Sequence, residues 1–475
     1  MHRYVNALGA IALLAYLAMT ALSFYQAPAL WQAEFSPQAA AYFTWMHGAE
    51  NLTAIRAFFG GPLAVLLSRF IPMIVASAAA VILLVLLTQS QPRGNAVVSR
   101  LILRWAFAFT AASVLAYPVF TQDFWLSAVW GNMVISGLNP YYVDFTPAIV
   151  GNLPLDHFPM PMSYGPLWAL ISGAVMAVAG ANVLAAGLLF KLILAAAWVA
   201  ALLLVDRIVL RVSPAKRPHA LVIAGWVPLG VWETVGEGHN DIVMVLPALV
   251  WIALMLHKHF AAPIALAASV LCKYTTAPLF LIDAIHALRA NRLRLTEYAL
   301  RLALAAIATI AVTAIFFRSM GFFNGVKLVS TWHFFQPVDA FAAVDEATGG
   351  WLFWLRYPIM AIFPVIAIHQ CLIYWKQPAN EQMLRAALAV MCAVSFGMIS
   401  HLWPWYLVWT LVFASFVPGW WLSRFILGLA LLAPATAIVW WIPEVEDYKD
   451  IAALLLYGSA IIGAVLTARR GEMVR

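Results

Sequence analysis

The feature that most constrains this chain is the length of its apolar runs. "VLAAGLLFKLILAAAWVAALLLV" (residues 183–205) has one charge, and runs of this kind recur from end to end. About 20 such residues cross the hydrocarbon of a bilayer as a helix, which satisfies its own backbone polar groups there. With 64% hydrophobic residues, 10% charged residues and a mean hydropathy of +0.89, the chain cannot cover a soluble surface. The alternating pattern of a membrane β-barrel is absent. The expected fold class is therefore an all-α polytopic membrane protein.

Spanning helices are predicted near 4–24, 62–88, 101–119, 183–205, 219–235, 241–257, 260–273, 276–289, 299–317, 351–375, 383–401, 404–419, 424–441 and 451–468, about 14 in all (range 12–14). The stretch 161–180 is read as an interfacial helix, because counting it as a span would put Arg207, Arg211, Lys216 and Arg217 outside. Both termini are then cytoplasmic, and most basic residues fall in short inward loops. Loop 120–182 contains no Lys or Arg. The net charge of +7 is thus explained by membrane topology, with no call for a nucleic-acid partner. Cys272, Cys371 and Cys392 show no disulfide or metal spacing. The chain 1–475 is expected to be a single transmembrane domain with its longer loops, 25–61, 120–182 and 318–350, outward.

Four outward-edge segments carry more polar groups than anchoring needs. In "TQDFW", Asp123 follows an apolar helix; a partly desolvated carboxylate there suits a general base, and the same residue can equally begin and cap an interfacial helix over 124–136. In "GLNPYY…SYGPLW", Tyr141, Tyr142, Tyr164 and Trp168 offer ring faces and hydroxyls suited to sugars, or to an aromatic belt. In "ETVGEGHND", His239, Asn240 and Asp241 follow glycines that let backbone approach a ligand, and Asp241 can also cap the next helix. In "LCKYTTAPLF", Lys273 stands at a break between short helices, placed either to hold a phosphate or to snorkel. His333 and His401 lie among aromatics that fit interfacial anchors, and Lys191 inside an apolar helix can meet a lipid phosphate or pair with an acid. No phosphate loop, HExxH zinc motif or GxSxG elbow occurs.

Taken in order, "QDFWLSAVWGNMVISGLNPYY", "YGPLW", "EGHND", "LCKYTTAPLF" and "PWYLVW" resemble the GT-C polyprenyl-phosphate-mannose-dependent mannosyltransferases, nearest the alpha-mannosyltransferases that elongate lipomannan-type glycolipids. The resemblance covers residues 121–409. It departs from the family in following the acid with Phe124-Trp125 and an uncharged helix. It implies an inverting glycosyltransferase of the bacterial inner membrane, active at its outer face. The donor would be a polyprenyl-phosphate sugar, most simply mannose, and the acceptor a glycolipid or glycan hydroxyl. Neither cofactor nor metal is implied. By the same resemblance Asp123 is the base, His239, Asn240 and Lys273 contact donor and phosphate, and Tyr164 and His401 assist. Two other classes fit the composition: a lipid-linked-sugar flippase, and a transferase of another polyprenyl-linked sugar such as aminoarabinose.

Overall fold

The fold is described by a computed structural model, covering residues 1–30, 49–59, 61–90, 96–121, 123–142, 153, 160–351, 353–437, 439 and 448–472. Parts of the expected outward loops 25–61 and 120–182, and the end of the predicted span 424–441, lie outside these residues. Among the described residues the fold is helical without a named strand; the sheet-like contact is one isolated bridge, Phe334 to His401.

Long apolar helices form the frame: α1 (His2–Leu30), α2 (Pro62–Ser90), α3 (Ala96–Ser113), α4 (Val183–Val212), α5 (Leu295–Ala314) and α6 (Arg356–Lys376). All six are long and apolar enough to cross a membrane, and the bent pair Pro228–Gly236 and Asp241–Leu256 would make a seventh. The predicted count of about 14 is not reached by that measure. Several expected spans are instead short apolar helices, among them Ala262–Cys272, Pro404–Ser415 and Trp421–Thr436. A hydropathy window cannot tell a short helix buried among protein neighbours from one facing lipid. Lipid-facing character is clearest in α5, where only 11% of its apolar window is buried and Leu300, Ile307 and Ile310 are more than half exposed.

The interior is built from the interrupted helices. The predicted span 101–119 ends early, at Ser113, and an extended segment with Pro118 follows. The freed N–H groups of Val119 and Phe120 donate to Glu237 Oε2, at 2.7 and 3.0 Å. The predicted span 219–235 is interrupted at Pro228 and ends in a π-helical turn, Trp232–Gly236; across the turn that follows, the Pro228–Gly236 arm and Asp241–Leu256 are bent by 119°. Such π turns widen the backbone ring and re-aim side chains, often at functional sites. The predicted span 276–289 divides into a 3₁₀ turn (Tyr274–Leu279), a short α-helix (Phe280–Ile285) and a π turn (His286–Ala290). Broken helices of this kind persist at membrane depth where protein, rather than lipid, surrounds them.

Candidate active site

Five separate chain segments converge on one polar cluster. Asp123 opens the helix Asp123–Ile135, and its N–H donates to Thr121 Oγ1 at 3.0 Å. Its carboxylate turns to tertiary partners: Oδ2 accepts from the Tyr164 hydroxyl at 3.2 Å and lies 3.9 Å from His239 Nδ1. The side chain keeps 33% of its surface exposed, yet the dense surroundings withhold enough water to push its pKa up to about 6. The charge of Lys273 and the Tyr164 hydrogen bond oppose that rise without cancelling it. The Tyr164 hydroxyl, buried beside Asp123, is held well above the usual phenol range and stays a donor.

Two glycines make this convergence possible. Gly165 donates its N–H to Cys272 O at 2.9 Å, and a Cβ there would overlap the Leu271 carbonyl. This backbone contact ties the Tyr164 segment to the one carrying Lys273. Gly238 sits at φ +84, where an L side chain is strained, and its added Cβ would strike the Phe124 ring. His239 is thereby pressed against the start of the Asp123 helix.

His239 is 3% exposed and stacks on Trp405, with centroids 3.8 Å apart and planes at 15°. Its two nitrogens face two acids: Nδ1 toward Asp123, and Nε2 toward Glu233 Oε2 at 3.5 Å. Asn240 is buried beside it and makes no capping bond to the following helix. Asp241 is not used as a cap either: its Oδ1 accepts from Lys273 Nζ at 2.6 Å and from the Trp409 indole. Lys273 is 7% exposed, so it does not snorkel. Its ammonium is caged by the faces of Tyr406, Trp409 and Tyr164 at 4.4, 4.7 and 5.2 Å. A cation held by a carboxylate and aromatic faces is fixed in place, as a site for developing negative charge needs.

Two other candidates stand one step back. Tyr141 is fully buried, stacks on Phe322 and donates to the Tyr164 carbonyl at 2.9 Å, so it anchors Tyr164's backbone. His401 Nε2 is 3.2 Å from the Tyr406 hydroxyl and steadies a ring of the Lys273 cage. His333 is exposed. Among the described residues Lys191 pairs with no acid: it is buried and donates to the Val235 and Gly236 carbonyls at the end of the π turn.

The structure adds groups that the motif reading did not single out. Glu237, 1% exposed, pairs with Arg69 of α2 and accepts from the Trp232 indole at 3.1 Å and from two backbone N–H groups. The pair ties the polar turn to a spanning helix. An arginine within an apolar 29-residue helix was a usable signal, because such a charge must find a partner. Glu233 and Trp405 were visible in their segments, but nothing local shows that they flank one imidazole. Among the described residues, no group of three or more His, Cys, Asp or Glu is arranged to hold a metal.

A family model described as alpha-(1->6)-mannopyranosyltransferase, N-terminal domain, matches residues 39–291, more than half of the chain. No curated protein and no solved structure matches. The matched stretch contains Asp123, Tyr164, Glu233, His239, Asp241 and Lys273. The chain belongs to the alpha-(1->6)-mannopyranosyltransferase family.

Proposed function

We propose that this membrane mannosyltransferase takes its sugar from a polyprenyl-phosphate donor at the outer face of the bacterial inner membrane. It passes the sugar, with inversion and without a metal, to a hydroxyl of a glycolipid or glycan. Asp123 is the base. The observation that carries this reading is the position of its carboxylate: partly exposed, 3.2 Å from a phenol donor, 3.9 Å from His239, and within the field of the caged Lys273 ammonium.

In the reaction, the acceptor O–H gives its proton to Asp123 while the oxygen attacks C1 of the donor sugar. The C1–O bond to phosphate breaks, its electron pair leaves with the polyprenyl phosphate, and a new glycosidic bond forms. A pKa near 6 leaves Asp123 mostly ionised at neutral pH, and basic enough to take a proton as the hydroxyl acidifies in the transition state. The rings around Lys273 and the Asp241 carboxylate keep the ammonium preorganised toward the departing phosphate, so little reorganisation accompanies charge separation. Tyr164 holds the carboxylate's second function in check by donating to Oδ2, which leaves the other oxygen for the acceptor.

The test is transfer of labelled sugar from polyprenyl-phosphate-mannose to a mannoside or membrane-lipid acceptor by purified protein, for wild type and Asp123→Asn. Transfer by wild type alone is expected. A folded Asp123→Asn protein with full activity would sink the assignment of the base. If neither protein transfers sugar and wild type moves the lipid-linked sugar across vesicles, the flippase reading replaces this one.

A further inference from the structure

A cavity of about 320 Å³ lies at the Glu233 edge of the His239 imidazole. Its lining includes Arg69, Phe120, Glu233, His239, Trp403 and Trp405, but not Asp123, Tyr164 or Lys273. Its size falls within the ~300–1,000 Å³ typical of small-molecule sites. Two of its buried polar atoms have no hydrogen-bond partner among the described residues, Arg69 Nη1 and His239 Nε2. Such groups are expensive to leave unmade, and both belong to side chains no more than 3% exposed.

Charge decides what the cavity accepts. The Arg69 guanidinium is already matched by Glu237, whereas among the described residues Glu233 has no Lys or Arg within ion-pair distance. Among the described residues, then, an anionic phosphate would find no unmatched cation in this cavity. A neutral ring bearing hydroxyls meets donors, an acceptor and an aromatic wall: His239, Trp405 and Trp403 stack in series, the two indoles 4.7 Å apart at 9°. The caged ammonium lies elsewhere, against Asp241 and Trp409. Phosphate chemistry and polyhydroxyl chemistry are thus served by different parts of the cluster, with His239 and Asp123 between them.

We infer that this cavity is the acceptor subsite, holding one neutral sugar ring with Arg69 Nη1 donating to its hydroxyls, Glu233 accepting from them, and His239 guiding the reacting hydroxyl toward Asp123. The inference rests on the transferase reading above for the direction of reaction, but not for the occupancy of the cavity. Arg69 is a poor site to probe, since its loss would strand the buried Glu237 carboxylate. Glu233→Gln keeps shape and turns one carboxyl oxygen into an amide donor, and Ala437→Phe fills the cavity from a lining residue outside the polar cluster.

The experiment uses the full chain in nanodiscs, with methyl alpha-mannoside as probe in saturation-transfer NMR titrations and polyprenyl phosphate in a parallel binding series. Wild type and Asp123→Asn should both bind the mannoside. Glu233→Gln and Ala437→Phe should weaken it by about tenfold or more, with polyprenyl-phosphate binding and melting temperature unchanged. Mannoside binding that is absent in wild type, or undiminished in both variants, overturns the assignment. Weakened polyprenyl-phosphate binding in its place would assign the cavity to the donor and equally overturn it. Mannoside binding by a wild-type protein that shows no transferase activity would defeat the proposed reaction while leaving the sugar site standing.

Discussion

Replacing Tyr164 by Phe isolates the hydrogen bond that holds the catalytic carboxylate. That bond, 3.2 Å to Asp123 Oδ2, favours the ionised form, so losing it must raise the Asp123 pKa. Wild type starts from about 6. A base works only when deprotonated, so kcat/KM should be flat above pH 7 and fall about tenfold per pH unit below 6. An unperturbed aspartate, near 3.9, would show almost no fall at pH 5. A hydrogen bond to a charged group is worth roughly 1.5 kcal/mol at the low end of its range, about a factor of 10 in the equilibrium. The midpoint for Tyr164→Phe should therefore move from about 6 toward 7, with the alkaline plateau largely retained. The assay is initial-rate mannosyl transfer between pH 4.5 and 8.5, at acceptor concentrations below KM. A midpoint that stays still or moves down would refute the electrostatic account of Asp123, and a wild-type midpoint near 4 would refute its desolvation.

Lys273→Ala should destabilise the detergent-solubilised protein by about 3–5 kcal/mol as well as lowering turnover, because it strands the 1%-exposed Asp241 carboxylate. A thermal-melt double-mutant cycle with Asp241→Asn should recover much of that loss. Gly238→Ala combines positive φ with a collision against Phe124 and should cost about 1–3 kcal/mol, with kcat falling as His239 is displaced from Asp123; melting and kcat measured together would show it. Trp405→Leu removes the face on which His239 stacks and should lower kcat by about tenfold while sparing the melting temperature more than Lys273→Ala does. Equal thermal losses in the two variants would make Trp405 a packing residue only.

Much of the fold class was legible from composition, because a chain with so few charges has one solvent in which helices can bury such runs. The order of the polar segments was legible too, and their likeness to one family agrees with the family match over residues 39–291. Asp123, Tyr164, His239, Asp241 and Lys273 each stood out locally as polar groups in apolar surroundings. The span count of about 14 is not confirmed by helix length and hydropathy among the described residues, and hydropathy registers apolar length but is blind to whether the neighbour is lipid or protein. The cap reading of Asp241 and the snorkelling reading of Lys273 were also locally reasonable. What overrode them is long-range: Lys273 meets Asp241 across 32 residues.

By itself, then, the sequence determined that the chain is helical, lives in a membrane and carries its polar chemistry in a few short segments. Local propensity and hydropathy act over neighbours, and those properties are sums over neighbours. The tertiary structure alone decided that His239 stands between Asp123 and Glu233, that Arg69 neutralises Glu237, and that a cavity is left beside them. Those outcomes depend on where π turns and two close-packed glycines bring distant backbones together, and a charge's effective pKa and partner follow from that meeting.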